Sequence, residues 1–194
     1  MAAKKDIRSL SIDELKEILE ENSFQSFRAK QIYHWLWKKS SHDFSSMHNL
    51  PNKLLTFLEN NFVIRKIEIS RQQKSKDGTI KNAINLFDDL TVECVLIPSK
   101  ERITACVSSQ VGCSLNCKFC ATARLKRMRN LNADEIYDQV VLIAKQSQDF
   151  YKRPLTNIVF MGMGEPLMNY KNVTKAIEMI TSNEGLGMSS KRIV

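Results

Sequence analysis

The sequence predicts an α/β fold in which a small helical domain, residues 1–62, is followed by linker strands over 63–98 and then by a parallel βαβα run, cut short, over 99–194. Three observations predict it. Apolar residues recur at helical spacing as far as Phe62, β-branched and apolar residues alternate from Val63 to Pro98, and beyond that two strand-like runs are each followed by a helical pattern.

The first helix starts at Ser11, which makes a capping box with Glu14 and places Ile12, Leu15, Ile18 and Leu19 on one face. A second begins near Ser26, with Ala29, Ile32, Tyr33, Leu36 and Trp37 as its apolar stripe and Arg28, Lys30, Lys38 and Lys39 outside it. Trp35 falls off that stripe, so it either joins the core or stacks on a base. A third helix follows Pro51, with Leu54, Phe57 and Leu58 in register.

Val63–Ser70 and Ile80–Pro98 read as strands joined by a turn at Lys76-Asp77-Gly78. Strand side chains alternate, so Thr91, Glu93 and Val95 should face away from Val92, Cys94 and Leu96. Ile103–Ser109 is the next strand. A helix opens at Asn132 with Glu135 in the capping position and buries Ile136, Val140, Ile143 and Ala144. Asn157–Met161 is another strand, Gly162–Pro166 a tight turn, and Val173, Ala176, Ile177 and Ile180 line a helix that ends at Gly185. Arg192-Ile193-Val194 reads as a further strand beginning.

With 194 residues, 43% of them apolar, the chain can bury one core and a small second domain. No apolar run reaches the length of a membrane span and Met1–Ser9 has no signal-like stretch, so no membrane role and a cytoplasmic location are expected. Five cysteines, three of them clustered, argue against a secreted disulfide framework. The formal charge of +8 favours polyanionic partners. It concentrates in two stretches, Arg65, Lys66, Arg71, Lys74, Lys76 and Lys81, and then Lys118, Arg124, Lys126, Arg127 and Arg129 beside the cysteines.

Cys113, Cys117 and Cys120 form a CxxxCxxC array in the loop after a strand. Three close thiolates can hold three irons of a four-iron cluster and leave one iron for a cofactor. Zinc is the alternative, but its structural sites take four protein ligands and no second CxxC exists here. A parallel β/α array places its site at the carboxyl ends of its strands, where this loop and Gly162-Met163-Gly164-Glu165-Pro166 both lie. The two glycines suit close backbone approach to a ligand, and Glu165 suits an ammonium group.

Cys113-Ser-Leu-Asn-Cys117-Lys-Phe-Cys120, with Phe119 before the last cysteine, resembles the signature of the radical S-adenosylmethionine (SAM) enzymes. Cys106-Val-Ser-Ser-Gln-Val-Gly-Cys113, Cys120-Ala-Thr-Ala, Met161-Gly-Met-Gly-Glu-Pro-Leu167 and Phe27-Arg28-Ala29-Lys30-Gln31 narrow the resemblance to the RlmN/Cfr RNA methyltransferases, on the RlmN branch. The resemblance implies a radical SAM β/α barrel, a [4Fe-4S] cluster on Cys113, Cys117 and Cys120, and S-adenosyl-L-methionine contacted by Gly164 and Glu165. It implies methylation of adenosine carbon 2 in 23S rRNA and in tRNA next to the anticodon, with two SAM per turnover. A cytosolic, flavodoxin-like electron donor and a monomeric full-length enzyme go with it, and residues 1–62 become an RNA-binding accessory domain.

By the same resemblance, Cys106 attacks the methyl-carrying cysteine in a transient disulfide and Glu93 is the proton acceptor. Without it, Cys106 reads equally as a small strand residue and Glu93 as an exposed strand carboxylate. Cys94 carries no chemistry. The family's remaining strands and its methyl-carrying cysteine have no counterpart here, so the expectation is an N-terminal fragment, inactive alone. A zinc-binding RNA module without catalysis and carbon-8 methylation, as in the Cfr branch, stand as alternatives.

Overall fold

In the computed structural model, which describes residues 4–115 and 117–194, the chain separates into two units. One comprises residues 1–65 with 179–187, the other 66–178 with 188–194.

The first unit is tied together at its ends by Asp6. Strand β1, Lys5–Asp6, pairs in parallel with β2, Phe62–Val63. The buried Asp6 carboxylate accepts hydrogen bonds from the backbone N–H groups of Arg8 and Arg65, both at 2.8 Å, and Arg8 donates in turn to the Arg65 carbonyl. Buried charge is tolerated when paired and hydrogen-bonded in this way. Helix α1, Ile12–Glu21, carries the expected capping box: the Ser11 hydroxyl accepts from Glu14 N–H and the Glu14 carboxylate from Ser11 N–H. Helix α2, Arg28–Tyr33, does not run on as an α-helix; it widens into a π turn over His34–Lys38. The wider turn lets the adjacent Leu36 and Trp37 both point inward, where Leu15, Leu19 and Ile32 are also buried. Helix α3, Asn52–Asn61, contributes Leu54 and Leu58 to the core. Each such side chain contributes roughly 1.5–3 kcal/mol through burial.

The second unit is built on a five-stranded sheet. Strands β3 (Glu68–Lys74), β4 (Ile80–Asn85), β5 (Thr91–Pro98) and β6 (Ile103–Cys106) pair antiparallel in order. Strand β9 (Asn157–Val159) then pairs parallel to β6, and Ile193 bridges Ile158 in parallel beyond it. Strand β3 starts later than Val63, and β6 and β9 are shorter than the sequence pattern suggested. Past their last ladder pairs the chain turns to polar contacts with the neighbouring loop instead.

Burial alternates along β4 and β5, with Ile80, Asn82, Ile84, Val92, Cys94 and Leu96 on the covered face. Helix α4, Ala133–Tyr151, lies against this sheet and buries Ile136, Val140 and Ile143, while Ala144 is half-buried. Among these apolar groups Asn82 and Gln146 exchange amide hydrogen bonds of 2.9 and 2.8 Å, so neither buried amide is left unpaired. Helix α5, Tyr170–Thr181, ends before Gly185, whose N–H returns to the Ser182 carbonyl.

The candidate active site

Sheet register sorts the sequence-predicted residues by face. Val95 pairs with Cys106, Lys81 with Val95, and Ala83 with Glu93. Directly opposed residues share a face, so Lys81, Glu93 and Cys106 all stand on the face away from α4. Glu93 and Cys106 are diagonal neighbours on adjacent strands. Cys94 lies on the other face, where burial pushes its thiol up to about 12 and Asn82 approaches its sulfur at 3.8 Å.

Glu93 is half-exposed and its carboxylate sits 3.0 Å from the Lys81 ammonium. Burial also pushes the Cys106 thiol above its ordinary value, opposed by a hydrogen bond from the Met161 backbone N–H. All five cysteines are free thiols, and the transient disulfide expected of Cys106 is with a methyl-carrying cysteine that has no counterpart by motif in this sequence. Cys94 is no partner for it, being on the opposite face.

The chain beyond Cys106 runs against the loop beyond β9. Val107 N–H donates to the Val159 carbonyl and Gly162 N–H to the Val107 carbonyl. Met163 N–H donates to the Ser108 hydroxyl at 2.8 Å, and Glu165 N–H to the Gln110 side-chain carbonyl at 2.9 Å. Gln139 on α4 holds Ser108 from behind through paired amide bonds. A Cβ on Gly162 would stand 2.7 Å from the Ser108 hydroxyl and Val107 carbonyl. Gly164, at φ +93°, would place one 2.5 Å from Gln110 Cβ. The two glycines therefore let the loops interlock, a role the sequence did not indicate. Glu165 is half-buried and accepts from Leu167 N–H at 3.1 Å.

The cysteine loop has a closed neck. Strand β7, Gln110–Val111, pairs antiparallel with β8, Arg129–Asn130. Arg129, expected in the basic rim, instead clamps this neck, donating to Asp88 at 2.6 and 3.0 Å and to Glu135 at 2.8 Å. Cys113, Cys117 and Cys120 are half-buried within the loop, and Phe119 is 94% exposed. Leu115 N–H points at the Cys113 sulfur at 3.4 Å. Backbone N–H groups of Thr122 and Ala123, with the Thr122 hydroxyl, hold the Cys120 thiol below its ordinary value. Among the described residues no group of three or more His, Cys, Asp and Glu is gathered closely enough to hold one metal ion. The donor set suits an iron–sulfur cluster in its chemistry, three soft sulfurs in eight residues with N–H groups directed at two of them.

Sequence reasoning missed Ser108, Gln110, Asn130 and Asn169. The last bonds to the Ser109 and Leu131 carbonyls, fixing both loops. The signal was the run Ser108-Ser109-Gln110, too polar to continue a buried strand yet itself fully buried.

The fold and site define a class, the radical SAM proteins. Residues 107–193 match the Radical SAM superfamily, and the structure superposes on the crystal structure of a radical SAM methyltransferase from Sphaerobacter thermophilus. That match has a TM-score of 0.83 and 36% identity over 97% of this chain and 55% of the other. Residues 5–64 match the ribosomal RNA large subunit methyltransferase N-terminal domain, RlmN_N, and the chain belongs to the RlmN family. It is 62% identical over 190 residues to the probable dual-specificity RNA methyltransferase RlmN of Christiangramia forsetii, covering 98% of this chain and 54% of that protein. It is 45% identical to the dual-specificity RNA methyltransferase RlmN of Campylobacter jejuni, over 93% of this chain and 54% of that one. The chain spans about half the length of the curated relatives it matches. Among the described residues no helix is long and apolar enough to cross a membrane.

Proposed function

We propose that the protein is part of a radical SAM RNA methyltransferase that methylates carbon 2 of adenosine in 23S rRNA and in tRNA. The observation that carries this reading is the placement of Glu93 and Cys106 on one open sheet face, with Cys106 ending the strand that leads into the cysteine loop and paired with Val159, which ends the strand that leads into the glycine loop.

Cys113, Cys117 and Cys120 would hold a [4Fe-4S] cluster, and Gly164 and Glu165 would contact SAM. When bound, this pair supplies one-electron cleavage chemistry, which carbon 2, a poor nucleophile, needs in place of polar transfer. The Glu93 carboxylate takes the proton leaving the adenosine carbon. The Cys106 sulfur, as thiolate, attacks the sulfur of the methyl-carrying cysteine. The S–S bond forms as that sulfur's bond to the RNA-linked carbon breaks, and the electron pair stays on the carbon, which takes up a proton and leaves as the product's methyl group. That second cysteine has no counterpart by motif in this sequence, so the reaction is assigned to the whole protein. Electrons come from a reduced carrier of the flavodoxin kind.

Anaerobic reconstitution tests the metal assignment. Iron and sulfide with absorption at the blue edge of the visible are expected, and Cys117→Ala should lose them while Cys106→Ala keeps them. Colourless protein carrying zinc would defeat the radical reading. In the full-length enzyme Cys106→Ala should accumulate protein covalently joined to RNA, and mass analysis should find 2-methyladenosine in the parent's product; 8-methyladenosine would overturn the position assigned.

A further inference from the structure

The open face of the sheet holds a cleft of about 210 Å³ lined by Arg71, Gln73, Lys81, Ala83 and Glu93. Arg71 reaches it because of a β-bulge. Ile69 pairs with Ile84, but Arg71 pairs with Ala83, leaving Ser70 as the extra residue, its hydroxyl bonded to the Ala83 carbonyl at 3.1 Å. In regular register Ser70 would oppose Ala83, and Arg71 would oppose Asn82 on the covered face. A bulge bends its strand and re-aims the side chains after it, and it does so here beside the proposed proton acceptor.

The charges in the cleft are two cations and one carboxylate. Lys81 is shared with Glu93 at 3.0 Å, whereas the Arg71 guanidinium has no carboxylate partner among the described residues. An anion therefore has a planar, multiply donating partner waiting at Arg71 and spare N–H donors at Lys81. The volume is below the roughly 300–1,000 Å³ of sites that enclose a whole small molecule. It suits a phosphate presented by a longer chain.

We infer that this cleft is a phosphodiester subsite, in which Arg71 and Lys81 grip the RNA backbone next to the nucleotide whose carbon proton Glu93 accepts. The inference rests on the RNA-methylation reading and adds a binding site to it. Lys81 then has two contacts, Glu93 on one side and phosphate on the other, which fixes the distance between backbone and base.

The test is the salt dependence of binding a fluorescein-labelled RNA hairpin with an unpaired adenosine in its loop. It compares the protein with Arg71→Met, Lys81→Met and Lys74→Met. Each contact to single-stranded phosphate contributes about 0.7 to the slope of log affinity against log salt. Arg71→Met and Lys81→Met should each flatten the slope by about that much, and Arg71→Lys should restore it. Lys74 lies on the covered-face side of the same strand, above the Phe150 and Tyr151 rings, so its loss should leave the slope unchanged. Equal flattening by all three methionine variants, or by none while the parent still binds, would overturn the subsite alone. A parent that does not bind the hairpin would overturn the RNA reading and the subsite with it. Circular dichroism of the exposed-site variants checks that each remains folded.

Discussion

Gly164 meets two structural demands at once, a positive φ and a close approach to Gln110. Its φ of +93° lies where a side chain is strained, and an added Cβ would meet both Gln110 Cβ and, at 2.8 Å, the Gln110 backbone nitrogen. Gly164→Ala should therefore cost about 1–3 kcal/mol. Urea denaturation would measure it, and an unchanged midpoint would show that the two loops part freely. At this scale the sequence was informative where period-two alternation held. It separated Glu93 from Cys94 correctly, because both lie within the unbroken ladder of β5. It could not place Arg71, since a single unpaired serine reverses the facing of every residue after it and leaves no trace in composition.

Among elements, the neck formed by β7 and β8 was invisible beforehand, because strands of two residues carry no periodicity and pair across the whole cysteine loop. Arg129 looked like part of a cationic surface for the same reason. Its partners Asp88 and Glu135 come from the β4–β5 turn and the first turn of α4, which only the fold brings together. Hydrogen bonding from Arg129 holds the Asp88 carboxyl below the usual carboxylate range. A depressed folded value means stability that is complete above the ordinary carboxylate value of about 4 and is lost as pH falls through the lowered one. Arg129→Met should lower neutral-pH stability by about 3 kcal/mol, because the buried Glu135 loses its partner, and should flatten the acid limb. Melting temperatures from pH 7 down to about 3 would show this; superimposed curves for parent and variant would mean the pair contributes nothing. Helices α1 and α4 were legible because their capping boxes and apolar stripes are local. The π turn at His34–Lys38 was not, since its signal is only two adjacent residues that both need to be inside.

At the scale of the molecule, the sheet unit has a graded order of protection. Strand β5 is paired on both sides and every second side chain of its inner half is buried, whereas β3 is an edge strand exposed along its whole length. Amide hydrogen exchange should be slowest in β5 and β6 and fastest in β3. Equal protection across β3 and β5 would show that β3 has a further partner. The βα alternation after Ile103 correctly indicated the parallel pairing of β6 with β9 and the bridge at Ile193. What was not legible was that the strands from Glu68 to Pro98, which read as a connecting segment, form one continuous sheet with them.

The closed neck has a mechanical consequence. Because two ladder pairs and a clamped guanidinium seal the base of the cysteine loop, ordering of that loop is decoupled from the scaffold beneath it. Chelation or oxidative damage at the sulfurs should strip the proposed cluster while leaving the platform standing, ready to be recharged without refolding.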